Sequence, residues 1–177
     1  MAMGLKLPIL QVVGYQDSGK TTLMKKLVSS FTMKGYRVGT IKHHGHGGTP
    51  DFGDEGKDTA FHRQAGAAVV GVEGEGILQL TAGQINWSLE NIISLYHSFS
   101  LDMILIEGYK AEHYPKVVLI RNQEDCLLLQ KLSNILCVIS EIPLAAEYRT
   151  NYQFFVRSEE DKYMTYIMRE VRGDLDE

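Results

Sequence analysis

The feature that most constrains this chain is a loop of the form G-x-x-x-x-G-K-T. It runs from Gly14 to Thr21, directly after the apolar residues 9–13, and an amphipathic segment follows it. This is the spacing of the P-loop, in which backbone N–H groups surround phosphate oxygens. Gly14 allows the chain to turn, and Gly19 leaves room for phosphate because it has no Cβ atom. The segment therefore predicts a strand, a phosphate-binding loop and a helix, in that order.

The polar residues of this loop have separate predicted roles. Lys20 supplies a positive charge to the β- and γ-phosphates, and the Thr21 hydroxyl supplies a ligand for Mg²⁺. The helix that begins near Lys20 directs the positive end of its dipole at the anion. Asp17, Ser18 and Thr22 complete the residues assigned to nucleotide binding. The expected ligands are a nucleoside triphosphate and Mg²⁺.

The pattern of the whole chain predicts an α/β fold of the P-loop NTPase type, with a mostly parallel sheet flanked by helices. Helices are predicted at residues 20–34, 59–64, 89–99 and 159–172. Strands are predicted at residues 9–13, 37–42, 68–72, 77–81, 102–107, 116–121, 127–130 and 135–140.

Composition indicates one domain over residues 1–177, with 44% hydrophobic residues and a net charge of −4. The absence of a Lys/Arg cluster argues against a nucleic-acid partner, and the apolar runs are too short for a membrane span. Cys126 and Cys137 stand alone in apolar surroundings, which predicts buried thiols rather than a disulfide. A cytoplasmic location is the corresponding expectation.

A P-loop also needs a carboxylate near Mg²⁺, and the segment LDMILIEGYK offers Asp102 and Glu107. In parallel α/β sheets, ligands bind at the carboxyl ends of strands. The two acids are five residues apart, about 17 Å in an extended strand, so only Glu107 lies at the P-loop end. Glu107 is therefore predicted to hold Mg²⁺ through water, or to orient an attacking water.

Three histidines, His43, His44 and His46, follow the second predicted strand. They are consistent with a metal site, with a switch-like loop that senses the γ-phosphate, or with solvated side chains. Arg63 is similarly either a cation for the phosphates or a surface residue of a short helix. The sequence leaves these alternatives open.

The identity of the base is also left open by the residues themselves. Guanine-specific P-loop proteins often carry N-K-x-D after a late strand, and residues 122–125 have the Asn and the Asp without the Lys. Ser140 and Glu141, at the end of a later strand, form a second candidate. Neither decides between GTP and ATP, so this argument ends at a purine nucleoside triphosphate.

Four segments give the chain a resemblance to the MobB family, molybdopterin-guanine dinucleotide biosynthesis protein B. They are the P-loop, TIKHHGH, DEGKDTAFHRQAGA and LDMILIEGYK, and the resemblance extends over about residues 7–171. It implies GTP at residues 14–22 and an acidic Walker B residue at Glu107. It also implies a second nucleotide-proximal segment, which consists of Glu55, Gly56, Lys57 and Asp58. An extra His44 and a Gly-rich insert depart from the family pattern.

Members of this family bind GTP, hydrolyse it slowly, form homodimers and work with the MobA guanylyltransferase. The resemblance implies an accessory protein for guanine dinucleotide attachment, with the molybdopterin cofactor as a further candidate ligand. In this hypothesis Glu107 or Asp54 positions the water that attacks GTP. Two alternatives are a metallochaperone GTPase, motivated by the histidines, and a small-molecule kinase. A kinase needs an arginine-rich lid, and after Glu107 only Arg121 precedes residue 149.

Overall fold

A computed structural model describes residues 7–45, 47–83 and 86–173 of the chain. The strands are β1 (Ile9–Val13), β2 (Val38–Lys42), β3 (Val69–Gly74), β4 (Ile77–Ala82), β5 (Met103–Glu107), β6 (Lys116–Ile120), β7 (Ile135–Ser140) and β8 (Phe154–Val156). The helices are α1 (Lys20–Thr32), α2 (Asp58–Gln64), α3 (Leu89–Tyr96), α4 (Leu127–Lys131), α5 (Ala146–Asn151) and α6 (Glu160–Gly173).

The chain divides into two compact units. The first comprises Met1–His43 and Tyr96–Glu177, and the second comprises His44–Leu95. Within the described residues, no helix is long and apolar enough to cross a bilayer. A single domain over residues 1–177 stays a prediction.

The first unit contains a six-stranded sheet in the order β2-β5-β1-β6-β7-β8. Every neighbouring pair is parallel, with Val12 opposite Glu107 across β1 and β5. The predicted α/β class with a mostly parallel sheet is therefore confirmed. Because all six strands run the same way, their carboxyl ends lie along one edge of the sheet, and the P-loop leaves β1 at that edge.

Two apolar clusters cover the two faces of this sheet, and strand alternation separates them. On β6, Val117 and Leu119 join one cluster while Val118 and Ile120 join the other. Successive side chains of a strand point to opposite faces, so buried strands are apolar at consecutive positions. The first cluster takes its helical residues from α1 and α6, such as Phe31 at 0% exposure. These contacts fix α1, and with it the residues that follow the P-loop.

Lys116, at the start of β6, is a fully buried charged residue in this core. Burial lowers the pKa of its ammonium group, and the nearby Glu112 carboxylate opposes that shift. Its three donors are satisfied by backbone carbonyl oxygens, at 2.7 Å from Glu112, 2.9 Å from Tyr114 and 2.7 Å from Ser133. The lysine therefore ties together two loops at the edge of the sheet opposite the P-loop.

In the second unit, β3 and β4 form an antiparallel hairpin that turns at Glu75 and Gly76. Both turn residues have positive φ, 51° and 80°, as a tight two-residue hairpin turn requires. Most of the hairpin is exposed, including its large apolar side chains, whose exposure is 57% at Val69, 48% at Val72, 73% at Ile77, 58% at Leu78 and 53% at Leu80. A two-stranded sheet has no second layer of its own to bury such residues.

The prediction of a strand at residues 127–130 was wrong. These residues belong to α4, which follows a 3₁₀ turn at Glu124–Cys126. Three apolar residues followed by a glutamine cannot distinguish a buried strand from a buried helical turn, and Leu128 and Leu129 are both buried in the helix. The elements α5 and β8 were not predicted.

Candidate functional site

The P-loop connects β1 to α1 through two residues with positive φ. Asp17 has φ 57°, and Gly19 caps the helix with φ 84° and ψ 18°. At Gly14 the chain is crowded instead: a Cβ atom there would lie 2.4 Å from Ser18 Oγ and 3.1 Å from the Leu119 carbonyl oxygen. Both glycines of the pattern therefore have a steric reason, and the loop is tightly folded.

Arg157, which follows β8, supports this loop from outside and was not predicted. Its Nη1 donates to the Ser18 carbonyl oxygen at 2.8 Å, and its guanidinium lies against Gly19. A Cβ atom at Gly19 would lie only 1.8 Å from Arg157 Nη2. The guanidinium fixes the orientation of the peptide that leads into α1. No local pattern could have revealed this contact, because the partners are 139 residues apart.

Lys20 lies inside the loop, where its Nζ donates to the Tyr15 carbonyl oxygen at 2.6 Å. Partial burial lowers the pKa of Lys20, and the carboxylate of Glu107 opposes that effect. Three neighbouring cations lower this pKa further: Lys110, Lys42 and Arg121. A group of positive charges around a loop of backbone amides is suited to an anion with several charges.

The Thr21 hydroxyl and the Glu107 carboxylate meet at one side of the loop. Thr21 Oγ1 donates to both Glu107 oxygens, each at 3.2 Å, and Lys42 Nζ lies 3.4 Å from Glu107 Oε1. Glu107 is only 7% exposed, although it is charged. Hydroxyl and carboxylate oxygens are the donors that Mg²⁺ prefers, so this pair fits the ion. Asp102 lies at the other end of β5, where it accepts the Arg37 N–H at 2.6 Å.

Gln11, a buried polar residue in the middle of β1, fixes the segment that follows Glu107. Its Nε2 donates to the carbonyl oxygens of Gly108 at 3.0 Å and Tyr109 at 2.7 Å. Tyr109 has a positive φ of 52°, and its ring lies 4.6 Å from that of His43. A glutamine within an apolar strand is a signal that sequence reasoning passed over. It holds the end of β5, and so holds the Glu107 backbone beside the P-loop.

The predicted residues 54–58 belong to the second unit and are described there alone. Arg63 Nη2 lies 2.6 Å from Asp54 Oδ1, and the Arg63 guanidinium lies 3.8 Å from the centre of the Phe52 ring. Lys57 Nζ donates to the Gly53 carbonyl oxygen at 3.2 Å. Gly56 has φ 72°, Glu55 is exposed and Asp58 is the first residue of α2. Asp54 and Arg63 therefore form an ion pair with each other.

The segment that resembles N-K-x-D has a structural role. Asp125 is buried and accepts hydrogen bonds from the Arg121 N–H at 2.9 Å and from Arg121 Nε at 3.0 Å. Burial alone would raise the pKa of Asp125, but these hydrogen bonds hold it below the usual value. Asn122 Oδ1 accepts the Asp125 N–H at 3.0 Å. Both side chains stabilise the turn after β6.

The histidines do not form a metal site among the residues that the structure describes. Within them, no three His, Cys, Asp or Glu side chains are grouped closely enough to hold an ion. His46 lies outside the described residues. The ring of His43 contacts the ring of Tyr109 at a tilt of 49°.

Comparison with known proteins identifies the family of this chain. The family model for "Molybdopterin guanine dinucleotide synthesis protein B" (MobB) matches residues 9–141. A "Probable molybdopterin-guanine dinucleotide biosynthesis adapter protein" of Bacillus subtilis is 40% identical, over 98% of this chain and 99% of its own length. The corresponding adapter protein of Escherichia coli is 32% identical, over 81% of this chain and 84% of its own length.

Solved structures give the same result. The crystal structure of Bacillus subtilis MobB matches with a TM-score of 0.77 at 37% identity, covering 92% of this chain and 97% of that one. The crystal structure of a MobB homolog from Bacillus stearothermophilus matches with a TM-score of 0.74 at 40% identity, covering 93% and 98% respectively. With the family model spanning most of the sequence and the fold shared over nearly its full length, the chain belongs to the MobB family.

Proposed function

We propose that this chain binds GTP and Mg²⁺ at the P-loop, hydrolyses GTP slowly, and acts as an adapter in molybdopterin-guanine dinucleotide biosynthesis. The observation that carries the binding proposal is the pairing of Thr21 and Glu107 at the mouth of the loop. The adapter role rests on the printed names of the relatives in Bacillus subtilis and Escherichia coli. A guanylyltransferase of the MobA type is the proposed partner, with the molybdopterin cofactor as a further candidate ligand.

The residues of the loop have separate proposed roles in binding. Backbone N–H groups of residues 14–22 and the Lys20 ammonium hold the phosphates, and Thr21 and Glu107 hold the metal ion. When bound, Mg²⁺ neutralises charge that develops on the phosphates. Burial and three neighbouring cations lower the pKa of Lys20, and a bound anion would oppose the effect of those cations.

Slow hydrolysis follows from the state of the candidate bases. Glu107 is held by Thr21 and Lys42, and Asp54 is held by Arg63. A general base must reach the attacking water with a free acceptor oxygen. Both proposed carboxylates are engaged in ion pairs or hydrogen bonds within the chain, so water activation is weak unless a partner rearranges them.

The homodimer is proposed on the exposed hairpin β3–β4 together with the family resemblance. The exposed apolar residues lie on both strands and on both faces of the hairpin. We propose that the same hairpin of a second copy of this chain packs against them. Ile77→Asp and Leu80→Asp would place charges in such an interface. We expect both variants to shift a dimer towards monomer in analytical ultracentrifugation. Lys34→Ala, in the first unit, should leave the molar mass of the dimer unchanged.

Nucleotide binding is tested by competition titration of GTP against ATP, with and without Mg²⁺. Lys20→Ala removes the charge on the phosphates and should weaken GTP binding by about 10- to 100-fold or more. Lys34→Ala is the matched control, since Lys34 is an exposed lysine that follows the far end of α1. Folding of each variant is checked by circular dichroism. Equal GTP affinity for Lys20→Ala and the parent chain would rule out the P-loop as the binding site.

A further inference from the structure

The position of Thr21 and Glu107 sets the direction in which a nucleotide lies in the P-loop. A Mg²⁺ ion held by these two side chains would neutralise charge on the terminal phosphates of a nucleoside triphosphate. Glu107 is on β5, which is the neighbour of β1 on one side of the sheet. The terminal phosphates of a bound nucleotide would therefore face β5, and its nucleoside would lie on the other side of β1, where β6, β7 and β8 follow.

The chain segments on that side converge on the P-loop through a short series of contacts. The Glu141 N–H donates to the Ile120 carbonyl oxygen at 2.9 Å, and the Arg157 N–H donates to the Ser140 carbonyl oxygen at 2.8 Å. Arg157 Nη1 reaches the Ser18 carbonyl oxygen at 2.8 Å and lies 3.9 Å from Glu141 Oε1. A single guanidinium thus connects the phosphate loop with the Glu141 carboxylate.

Glu141 differs from the other acids near this side of the loop. Its side chain is 47% exposed, and among residues 7–45, 47–83 and 86–173 no group donates a hydrogen bond to its carboxylate. The Asp125 side chain is 3% exposed and bound to Arg121. Asp17 belongs to the phosphate loop itself, where a carboxylate faces the charge of the phosphates. Among the described residues, Glu141 therefore combines a carboxylate that accepts no hydrogen bond with a contact to the guanidinium that also supports the phosphate loop.

We propose that Glu141 determines base specificity by accepting hydrogen bonds from guanine, and that Arg157 is the residue that positions it. Guanine presents two donors on one edge, N1–H and the 2-amino group, which match the two oxygens of a carboxylate. Adenine presents a lone pair at N1, which a carboxylate repels. The proposal rests on the proposed function, because it assigns a role to a residue of the same nucleotide site.

The experiment measures affinities for GTP, ITP, XTP and ATP by competition titration in Mg²⁺. ITP lacks the 2-amino group, and XTP has a carbonyl oxygen in its place. The parent chain should bind GTP best, ITP more weakly by the loss of one hydrogen bond, and XTP and ATP weakest. Glu141→Gln should weaken GTP by about 10- to 100-fold and reduce the ratio of GTP to XTP affinity, because two charge-assisted hydrogen bonds are affected.

Glu124→Gln is the matched control, since it makes the same charge change at an exposed position after β6. It should leave the order of the four affinities unchanged. Glu141→Asp, which keeps the carboxylate, should retain more of the preference for GTP than Glu141→Gln does. Arg157→Ala should weaken all four nucleotides, through Ser18, and also lower the ratio of GTP to XTP affinity.

Each outcome separates this inference from the proposed function. If Glu141→Gln keeps the GTP affinity of the parent and its ratio of GTP to XTP affinity, the assignment of Glu141 is wrong. Loss of GTP binding in Lys20→Ala would still support the P-loop as the nucleotide site. If the parent binds all four triphosphates equally, the inference fails and nucleotide binding stands. If the parent binds none of them, the proposed function fails first.

Discussion

The contact between Gly19 and Arg157 predicts an unusual pair of effects on stability. Gly19→Ala places a methyl group in the left-handed region, which costs about 1–2 kcal/mol. Its Cβ would also lie 1.8 Å from Arg157 Nη2 and 2.9 Å from Cζ. Those atoms are the far end of a flexible side chain, so the guanidinium moves away and loses its hydrogen bond to Ser18. That charged hydrogen bond is worth about 1.5 kcal/mol at a side chain that is 31% exposed.

We therefore expect Gly19→Ala to lower the free energy of unfolding by about 3 kcal/mol, and Arg157→Ala by about 1.5 kcal/mol. In the double variant the hydrogen bond is already absent, so the total loss should also be about 3 kcal/mol, well short of the sum. Urea denaturation of the four proteins measures these values from midpoints at a constant m-value.

Gly35→Ala is the matched control for backbone strain. Gly35 has φ 89°, close to that of Gly19, and nothing lies within 4 Å of its ideal Cβ position. Its substitution should cost about 1–2 kcal/mol and should add to that of Arg157→Ala. If Gly19→Ala and Arg157→Ala add to within about 0.5 kcal/mol, the guanidinium does not support the loop as the structure indicates.

Three other predictions concern groups outside the loop. Asp125→Asn should lower the free energy of unfolding by about 1.5–3 kcal/mol at neutral pH. Hydrogen bonds from Arg121 hold the pKa of Asp125 below its usual value. The difference in free energy of unfolding between variant and parent should therefore shrink as pH falls through that lowered pKa, which denaturation at a series of acid pH values measures. Lys116→Met removes three hydrogen bonds from a buried ammonium to backbone carbonyl oxygens and should lower the free energy of unfolding by about 2–3 kcal/mol, as measured by urea denaturation. Burial raises the pKa of Cys126 and raises that of Cys137 to about 12. Both thiols of the native chain should therefore react at pH 8 far more slowly than those of the unfolded chain. A chromogenic disulfide reagent measures the two rates. Rapid labelling of both native thiols would contradict their burial.

The sequence was most informative where one local pattern carries a physical requirement. The P-loop spacing predicted the strand, the turn and the start of α1 at Lys20, because glycines, a lysine and a threonine are all needed within eight residues. The apolar run before Glu107 similarly predicted a buried strand that ends on the same edge of the sheet as the loop. Parallel pairing of β1 with β5 then brings Thr21 and Glu107 together without any sequence signal linking them.

The missed features have small or non-local signals. β8 is only three residues, Phe154–Val156, and α5 has no buried side chain, so neither produces a periodic pattern. Residues 127–130 were assigned to a strand because so short an apolar run does not distinguish the period of a strand from that of a helix. Arg157 is an arginine after a short, undetected strand, and its importance arises only when β8 pairs beside β7.

The support of the P-loop comes from chain segments on both sides of β1, and this explains why the loop tolerates two residues with positive φ. On one side, Gln11 and β5 hold Glu107 beside Thr21. On the other, Arg157 holds the Ser18 carbonyl. Residue 157 lies beyond the part matched by the family model, which ends at residue 141. The nucleotide-binding motif alone is therefore not a complete folding unit, because a strained turn keeps its shape only when the structure around it over-determines that shape. Arg157, the residue after β8, therefore contributes to the shape of the P-loop through its hydrogen bond to the Ser18 carbonyl oxygen.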